Sequence, residues 1–312
     1  MKRRPIARCL WRAARLAAAA PLLLLVACVG TPTPLAPSIR GSIGLPHEGM
    51  ITDAEALPQR GEGYRRLRDN GVAWGNPRIV AAIESAAREV SRARPGVDLV
   101  VGDLSARFGG SASGHRSHRT GRDADLLLYA LTPDGRPVLS PGFPRFGPDG
   151  LADVSAPAGA PAGEGSTPGG KRALPPPRAS RAGSAKGVFL RLDVEREWLL
   201  VKALVSSPEA NVQWLFLARW LEALVIEYAR ARGEDPELVW YAESVLLQPG
   251  DSAAHDDHLH LRIACTPDEA VAGCLGGGPY WPWLPPLPEL VPLPEDELVR
   301  AIIGDLLPPE RP

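Results

Sequence analysis

The chain has 312 residues, with 35 Lys and Arg against 36 Asp and Glu, so its formal net charge at pH 7 is −1. Because the charges are nearly balanced, nothing in the composition indicates a nucleic-acid partner, and we expect none. Its 32 glycines and 34 prolines are concentrated in a few stretches. What remains is enough for one domain of about 170–200 residues.

The first 27 residues have the pattern of a secretory signal. Basic residues at 2–4 precede an apolar run over 16–27, which is shorter than the roughly 20 residues that span a bilayer. The run ends in Leu25-Val26-Ala27-Cys28, which is similar to a bacterial lipobox and predicts acylation of Cys28. Because Val29 rather than Asp follows, we expect a periplasmic protein that is lipid-anchored at the outer membrane. The alternative is an ordinary signal peptide in which Cys28 is incidental.

Regular elements are predicted to follow a tether over 28–45. Asn76 followed by Pro77 is a helix-start signal, and apolar residues at helical spacing continue to Val90. Apolar periodicity predicts further helices over 194–205 and 218–231, and strands over 97–103, 123–129, 212–217 and 259–264. This mixture predicts one α+β domain over 46–275, in which an antiparallel sheet flanked by helices carries the site.

Two stretches interrupt or follow this domain. Residues 132–186 have the composition of a low-complexity insert with little to bury, so we expect a long mobile loop there. Residues 276–312 form a Pro-rich tail with a short helix predicted over 294–307. The tail carries Tyr280, Trp281 and Trp283, which we expect to pack on the domain, contact with a partner being the alternative.

Five of the six histidines lie in two short clusters that also hold carboxylates. The first cluster contains His115 and His118 with Asp123 and Asp125, and the second contains His255, His258 and His260 with Asp256 and Asp257. Imidazole and carboxylate gathered in this way are typical of a zinc site. The alternative is that both runs are polar surface loops.

Strand periodicity narrows the choice of ligands. Alternate residues of a strand share a face, which places Asp123 with Asp125 and His258 with His260. A loop can bring His118 back onto the strand, so we predict His118, Asp125 and His260 as three zinc ligands. Three protein ligands with an open fourth position are typical of catalytic zinc, whereas a purely structural zinc domain would have a closed four-ligand site. The remaining histidines of the two clusters would then be free to transfer protons.

The cysteines support an oxidising compartment. Cys9 leaves with the signal and Cys28 would carry lipid, which leaves Cys265 and Cys274 as an even pair. We predict a disulfide between them, with free buried thiols and a second zinc site as weaker alternatives.

The spacing of the two clusters resembles a known group of enzymes. His118-x6-Asp125 and His258-x-His260 look like the signature of the LAS metallopeptidases, the lysostaphin-like and D-Ala-D-Ala peptidases. The wider context over 114–125 and 255–262, with 212–216 and 248–254, resembles the penicillin-insensitive murein endopeptidases. The likeness extends over about residues 46–275 apart from the insert.

This resemblance implies a role for each residue of the clusters. His118, Asp125 and His260 match the zinc ligands of the family, His258 its catalytic histidine, and His255 another active-site histidine. His115 matches a residue that binds a second metal in some members, but no histidine between 119 and 254 is available here to complete that site. Asp123, Asp256 and Asp257 are candidates to orient the imidazoles.

The implied activity is cleavage of peptidoglycan cross-links. The resemblance implies a zinc-dependent endopeptidase that hydrolyses the amide between D-alanine and meso-diaminopimelate with zinc-activated water. Two alternatives are a D-Ala-D-Ala carboxypeptidase or dipeptidase with the same metal core, and an inert wall-binding lipoprotein. The implied partners are peptidoglycan cross-links and, through the lipid anchor, a membrane.

Overall fold

The computed structural model describes residues 40–111, 115–154 and 188–286. The predicted signal, Cys28, most of the tether and the helix predicted over 294–307 lie outside these residues and stay predictions. Within the described ranges, no helix combines the length and the apolar character needed to cross a membrane.

The described residues contain short strands and a few longer helices. The strands are β1 (Ser42–Leu45), β2 (Glu48–Ile51), β3 (Glu55–Ala56), β4 (Arg60–Gly61), β5 (Tyr64–Arg66), β6 (Trp74–Gly75), β7 (Leu99–Val101), β8 (Asp123–Leu127), β9 (Ala130–Leu131), β10 (Pro137–Val138), β11 (Leu151–Asp153), β12 (Phe189–Leu192), β13 (Val212–Phe216), β14 (Leu246–Leu247) and β15 (His258–Ile263). The helices are α1 (Pro77–Ala93), α2 (Val194–Ser206), α3 (Arg219–Ala231), α4 (Pro236–Val245) and α5 (Pro267–Val271).

A seven-stranded sheet with the order β14-β13-β15-β8-β7-β5-β4 forms the framework. Its centre is antiparallel, because β15 pairs antiparallel with both β13 and β8, and β8 with β7. Parallel pairs flank this centre, β5 with β7 and β13 with β14. The α+β prediction with an antiparallel site-bearing sheet is therefore confirmed at the centre, and the parallel pairs are an addition.

The two faces of this sheet differ in chemistry. On one face Val101, Leu126 and Leu259 are paired across neighbouring strands and are fully buried. They belong to one apolar core with side chains of α1 and α2 such as Ile83 and Trp198, and burying each large side chain contributes roughly 1.5–3 kcal/mol. Because side chains alternate along a strand, the polar residues of β8 and β15 lie on the opposite face, which we call the site face.

The main elements begin and end near the places that the sequence predicts. Helix α1 begins as expected, with the Asn76 side chain accepting from the Arg78 N–H and Pro77 in the first turn. The other two predicted helices and all four predicted strands are present as α2, α3, β7, β8, β13 and β15. Helix α4 was missed, although Asp235 and Pro236 repeat the cap-and-proline signal. Strands β1 to β6, β9 to β12 and β14, with the short helix α5, were missed because two to five residues are too few to show periodicity. The tether predicted over 28–45 is wrong at its end, where β1 forms.

The expectation that residues 132–186 offer little to bury is wrong for their first part. Strands β10 and β11 lie in this stretch and join β9 and β12 in a four-stranded sheet. Phe146 is only 1% exposed, and its carbonyl accepts from the Trp220 indole N–H at 3.0 Å. The low-complexity composition begins later, and residues 155–187 lie outside the described part of the chain.

The described start of the C-terminal tail packs on the domain through Trp281 and Trp283, as predicted, but the prediction is wrong for Tyr280, which is exposed. The Trp281 indole donates to the Gln213 carbonyl at 2.8 Å, and the Trp214 indole donates to the Gly277 carbonyl at 2.7 Å. The predicted disulfide between Cys265 and Cys274 is also present. It joins the end of β15 to the segment after α5.

Candidate metal centre

Three imidazole nitrogens surround one carboxylate oxygen on the site face. Asp125 Oδ1 lies 3.2 Å from His118 Nε2, 3.2 Å from His260 Nδ1 and 3.4 Å from His258 Nε2. His118, Asp125 and His260 are all buried. The two sequence clusters, more than 120 residues apart, therefore form one site.

Strand register creates this meeting point. In the antiparallel pair of β15 and β8, His260 lies directly opposite Asp125 and Arg262 lies opposite Asp123. His118 comes from the preceding loop and has a positive φ of 65°. This backbone region is uncommon for a residue with a side chain and costs on the order of 1–3 kcal/mol, a cost often found at functional sites.

The second nitrogen of each central imidazole is held by a hydrogen-bond partner. His260 Nε2 lies 2.8 Å from Asp123 Oδ1, His258 Nδ1 lies 2.6 Å from Asp257 Oδ1, and His118 Nδ1 lies 2.8 Å from the Leu104 carbonyl. Such partners set the tautomer and the orientation of metal-binding imidazoles. They leave the nitrogen that faces Asp125 available for a ligand.

Asp123, Asp256 and Asp257 were predicted to orient the imidazoles, but Asp256 contacts an arginine and no imidazole of the described residues. It lies 3.3 Å from the Arg145 guanidinium, whereas Asp123 and Asp257 contact imidazoles. Burial raises the pKa of Asp256 to about 6. The sequence places Asp256 and Asp257 side by side but cannot show which one faces the histidine.

His115 extends the site on one side. Its Nε2 lies 3.0 Å from Asp103 Oδ2, and its Nδ1 lies 3.9 Å from Asp125 Oδ2. His115, His118 and Asp125 form one group of side chains that could hold a metal ion. Sequence reasoning missed Asp103, which stands alone at the end of a predicted strand.

His255 borders the site on the other side. With His258 and His260 it forms a second group that could hold a metal ion. Its ring contacts that of Phe216 at 5.7 Å, and its Nδ1 has no hydrogen-bond partner among the described residues. Burial lowers the pKa of His255 to about 3, so its imidazole is neutral near pH 7.

The electrostatics of the centre favour a cation. Burial alone would lower the pKa of His118, but the Asp125 carboxylate more than offsets this and raises it to about 9. Burial opposes ionisation of Asp125, yet the neighbouring imidazoles hold its pKa well below the usual value. The buried atoms His118 Nε2 and Asp125 Oδ1 have no hydrogen-bond partner within the described chain. Two imidazoles and a carboxylate are a donor set that suits zinc.

A segment that the sequence assigned to the insert forms a wall of the site. Phe143 places its ring edge against His258 at 5.6 Å. Arg145 lies within 3.3 Å of Asp256 and 3.8 Å of Asp257, and the Phe146 N–H donates to the Asp256 carbonyl at 2.8 Å. Two phenylalanines and an arginine in a Gly/Pro-rich stretch were the only sequence signal of this role.

Part of the chain that includes the first histidine cluster matches a known protein family. Residues 42–139 match the family model of the penicillin-insensitive murein endopeptidases. This match confirms the resemblance inferred from the sequence. It includes the first histidine cluster of the site and ends before the second.

Several relatives carry the name penicillin-insensitive murein endopeptidase, among them the two that follow. The protein of Haemophilus influenzae is 33% identical over 121 residues, which cover 36% of this chain and 42% of the relative. The protein of Escherichia coli O1:K1 is 36% identical over 94 residues, which cover 30% of this chain and 34% of the relative. The matched part of the chain thus spans less than half the length of either murein endopeptidase.

Proposed function

We propose that this protein is a zinc-dependent peptidoglycan endopeptidase that hydrolyses the amide between D-alanine and meso-diaminopimelate in cross-links. The observation that carries the proposal is the buried Asp125 oxygen with three imidazole nitrogens within 3.4 Å. The match to the murein endopeptidase family over 42–139 and the names of the two relatives support peptidoglycan as the substrate.

His118, Asp125 and His260 are the residues that would hold the zinc ion. An imidazole nitrogen of His118 and one of His260 each lie 3.2 Å from Asp125 Oδ1, and each of these imidazoles is held by a partner on its far side. When bound, zinc polarises a carbonyl and lowers the pKa of a coordinated water from about 15.7 toward 7.

His258 is the proposed catalytic residue. Its Nε2 points toward the ligand cluster, 3.4 Å from Asp125 Oδ1, while Asp257 holds its Nδ1. This is the arrangement of a proton-transfer group oriented by a carboxylate, so the imidazole can exchange a proton with water or donate to the developing oxyanion. The Asp257 carboxylate stabilises the positive charge that the imidazole acquires when it takes a proton.

His255 is the second proposed proton-transfer residue. Its ring centroid lies 5.2 Å from that of His258 and 5.8 Å from that of His260. Because burial lowers its pKa to about 3, it enters the reaction as a neutral imidazole, and in this role it would hold a transferred proton only briefly. The proposed setting is the periplasm, with an N-terminal lipid anchor at Cys28.

Hydrolysis of purified cross-linked muropeptide dimers tests the proposal. We expect the dimers to be converted to monomers. A chelator should abolish this conversion and added zinc should restore it. Mass spectrometry of the products follows the reaction, and the fragment masses identify the bond that is cleaved. His258→Ala should abolish turnover while zinc binding stays near one ion per chain. His47→Ala is the matched control, because His47 is exposed and outside both clusters.

Two results would contradict the proposal. If His258→Ala hydrolyses the dimers as fast as the unchanged protein, His258 is not the catalytic residue. Release of terminal D-alanine from uncross-linked peptides, with dimers left intact, would instead assign a carboxypeptidase.

A further inference from the structure

The site face continues from the metal centre across four more strands. Strand pairing places Phe216 beside His260, and His260 beside Asp125. A Cβ built on Gly102 would lie 3.1 Å from the Asp125 Cβ, so Gly102 shares this face, and so does Val100, two residues before it. Val100 pairs with Arg65 of β5, and Arg65 pairs with Arg60 of β4.

A cavity of about 240 Å³ lies at the far end of this row. Its described lining contains three arginines and no acidic residue, namely Gln59, Arg60, Arg65, Arg66, Leu67, Val100, Leu139 and Ser140. Arg60 is exposed, while Val100 is buried. The cavity therefore combines a buried apolar wall with positive charge.

The positive charge of this cavity is only partly neutralised. Arg60 and Arg65 are direct cross-strand neighbours, an arrangement of like charges that destabilises a sheet. Asp98 lies 3.4 Å from Arg65 and Asp69 lies 3.8 Å from Arg66, whereas no carboxylate of the described ranges lies within ion-pair distance of Arg60. An anion between the two guanidinium groups would relieve the repulsion.

The spacing suits one extended peptide. Neighbouring strands are about 4.8 Å apart, so β5 and β4 lie about 10–15 Å from Asp125 on β8. An extended chain covers this distance with about three to four residues. The segment over 139–143 runs beside this path, because Ser140 lines the cavity and Phe143 contacts His258.

We infer that the Arg60–Arg65 cavity is a substrate subsite that binds a free carboxylate of a stem peptide while its cross-link lies at the metal centre. The inference rests on the proposed function. Stem peptides carry carboxylates that the cross-link does not consume, including one on meso-diaminopimelate. Arginine forks match the planar geometry of a carboxylate through paired hydrogen bonds.

The test compares two cross-linked dimers, one with free carboxylates and one with the same groups amidated. For the unchanged protein we expect a kcat/KM about tenfold higher on the free dimer, since one charge-assisted hydrogen bond accounts for that factor. The double variant Arg60→Gln/Arg65→Gln should lose this preference and keep its kcat/KM on the amidated dimer. Arg60→Lys/Arg65→Lys should keep part of the preference.

A matched control and a binding measurement complete the test. Arg88→Gln/Arg92→Gln changes two arginines of α1 that share Glu62, and it should leave the preference intact. The affinity for uncross-linked stem peptide can be measured by calorimetry on protein from which a chelator has removed the metal. This affinity should fall about tenfold in the Arg60→Gln/Arg65→Gln variant.

The outcomes separate the two proposals. Hydrolysis of neither dimer by the unchanged protein would overturn the proposed function, and this inference with it. Hydrolysis of both dimers at equal kcat/KM, or an equal loss on both in the glutamine variant, would overturn the subsite alone.

Discussion

Asp123 and Asp125 share one strand face but have different neighbours. Asp125 presents Oδ1 to three imidazoles, whereas Asp123 Oδ1 lies 2.8 Å from His260 Nε2 and accepts from the Arg262 guanidinium at 2.6 Å. Nearby cations hold the pKa of Asp123 below its usual range despite its complete burial. Asp123 therefore fixes the orientation of His260 as a charged partner.

Removing this charge should weaken metal binding. In Asp123→Asn, His260 loses the partner that orients it and raises its basicity, so we expect zinc affinity to fall about 10- to 100-fold. Competition with a fluorescent chelator measures the affinity. Asp69→Asn is the control, because the Asp69 side chain is 90% exposed. An unchanged affinity in Asp123→Asn would show that His260 needs no such partner.

At the scale of elements, the segment over 139–147 supports the second histidine cluster. Arg145 contacts Asp256 and Asp257, and Asp257 in turn holds His258. Arg145 is 56% exposed, so this contact contributes little to global stability. Its effect is the placement of the two aspartates that come directly before the proposed catalytic residue, His258, at the start of β15.

Substitution of Arg145 should therefore affect turnover more than folding. We expect Arg145→Ala to lower kcat by about tenfold or more through misplacement of His258, with zinc affinity and melting temperature nearly unchanged. Arg145→Lys should recover part of the activity. If Arg145→Ala raises KM alone, the residue contacts substrate and does not position His258.

The disulfide connects another pair of elements. Cys265 follows β15, and Cys274 lies after α5. The backbone of Cys274 also forms an isolated β-bridge with that of Gly44 in β1. Helix α5 is also held by Glu269, which accepts from the Arg78 guanidinium at 2.7 Å. The disulfide loop thus secures the end of the strand that carries His258 and His260.

Loss of this covalent bond should destabilise the domain. The loop spans nine positions in sequence, and closing a loop of that size corresponds to about 2–3 kcal/mol through the entropy of the unfolded chain. We expect Cys265→Ser/Cys274→Ser to lower the free energy of unfolding in urea by that amount. Reduction of the unchanged protein should reproduce the shift. A smaller effect would mean that the Glu269 contacts hold the loop without the bond.

At the scale of the whole molecule, one buried acid outside the site affects stability. Glu197 of α2 is fully buried and accepts from the Tyr129 N–H at 3.2 Å. Burial raises its pKa from an ordinary 4.5 to about 8. The folded protein therefore retains a proton that the unfolded chain releases between these two pH values.

This difference predicts a stability that falls as pH rises. The destabilisation is absent below about pH 4.5 and complete above about pH 8, and its size is on the order of 3–5 kcal/mol. Glu197→Gln should remove this contribution, so urea unfolding at pH 5 and pH 8 should show a flatter pH dependence than the unchanged protein. Glu227→Gln, a 73% exposed control on α3, should follow the unchanged protein. Parallel pH profiles for Glu197→Gln and the unchanged protein would contradict the prediction.

The order of residues in the chain was enough to predict the donor chemistry of the candidate site and the main helices and strands. Residue type and spacing identified the two histidine clusters as a candidate metal site, and strand periodicity predicted that Asp123 shares a face with Asp125 and His258 with His260. Helix α1 and strands β8 and β15 were also predictable, because local periodicity and capping depend on residues close together in the chain. The disulfide followed from cysteine count and compartment.

Contacts between groups that are distant in the chain could not be predicted before the fold was known. Asp103 behind His115, Arg145 behind Asp257, and the pairing of Arg60 with Arg65 depend on strand order and register. A single residue in a loop or a two-residue strand has no periodicity from which its neighbours could be inferred. These contacts are set by packing across the whole sheet, since a shift of one residue in register would turn each side chain to the other face.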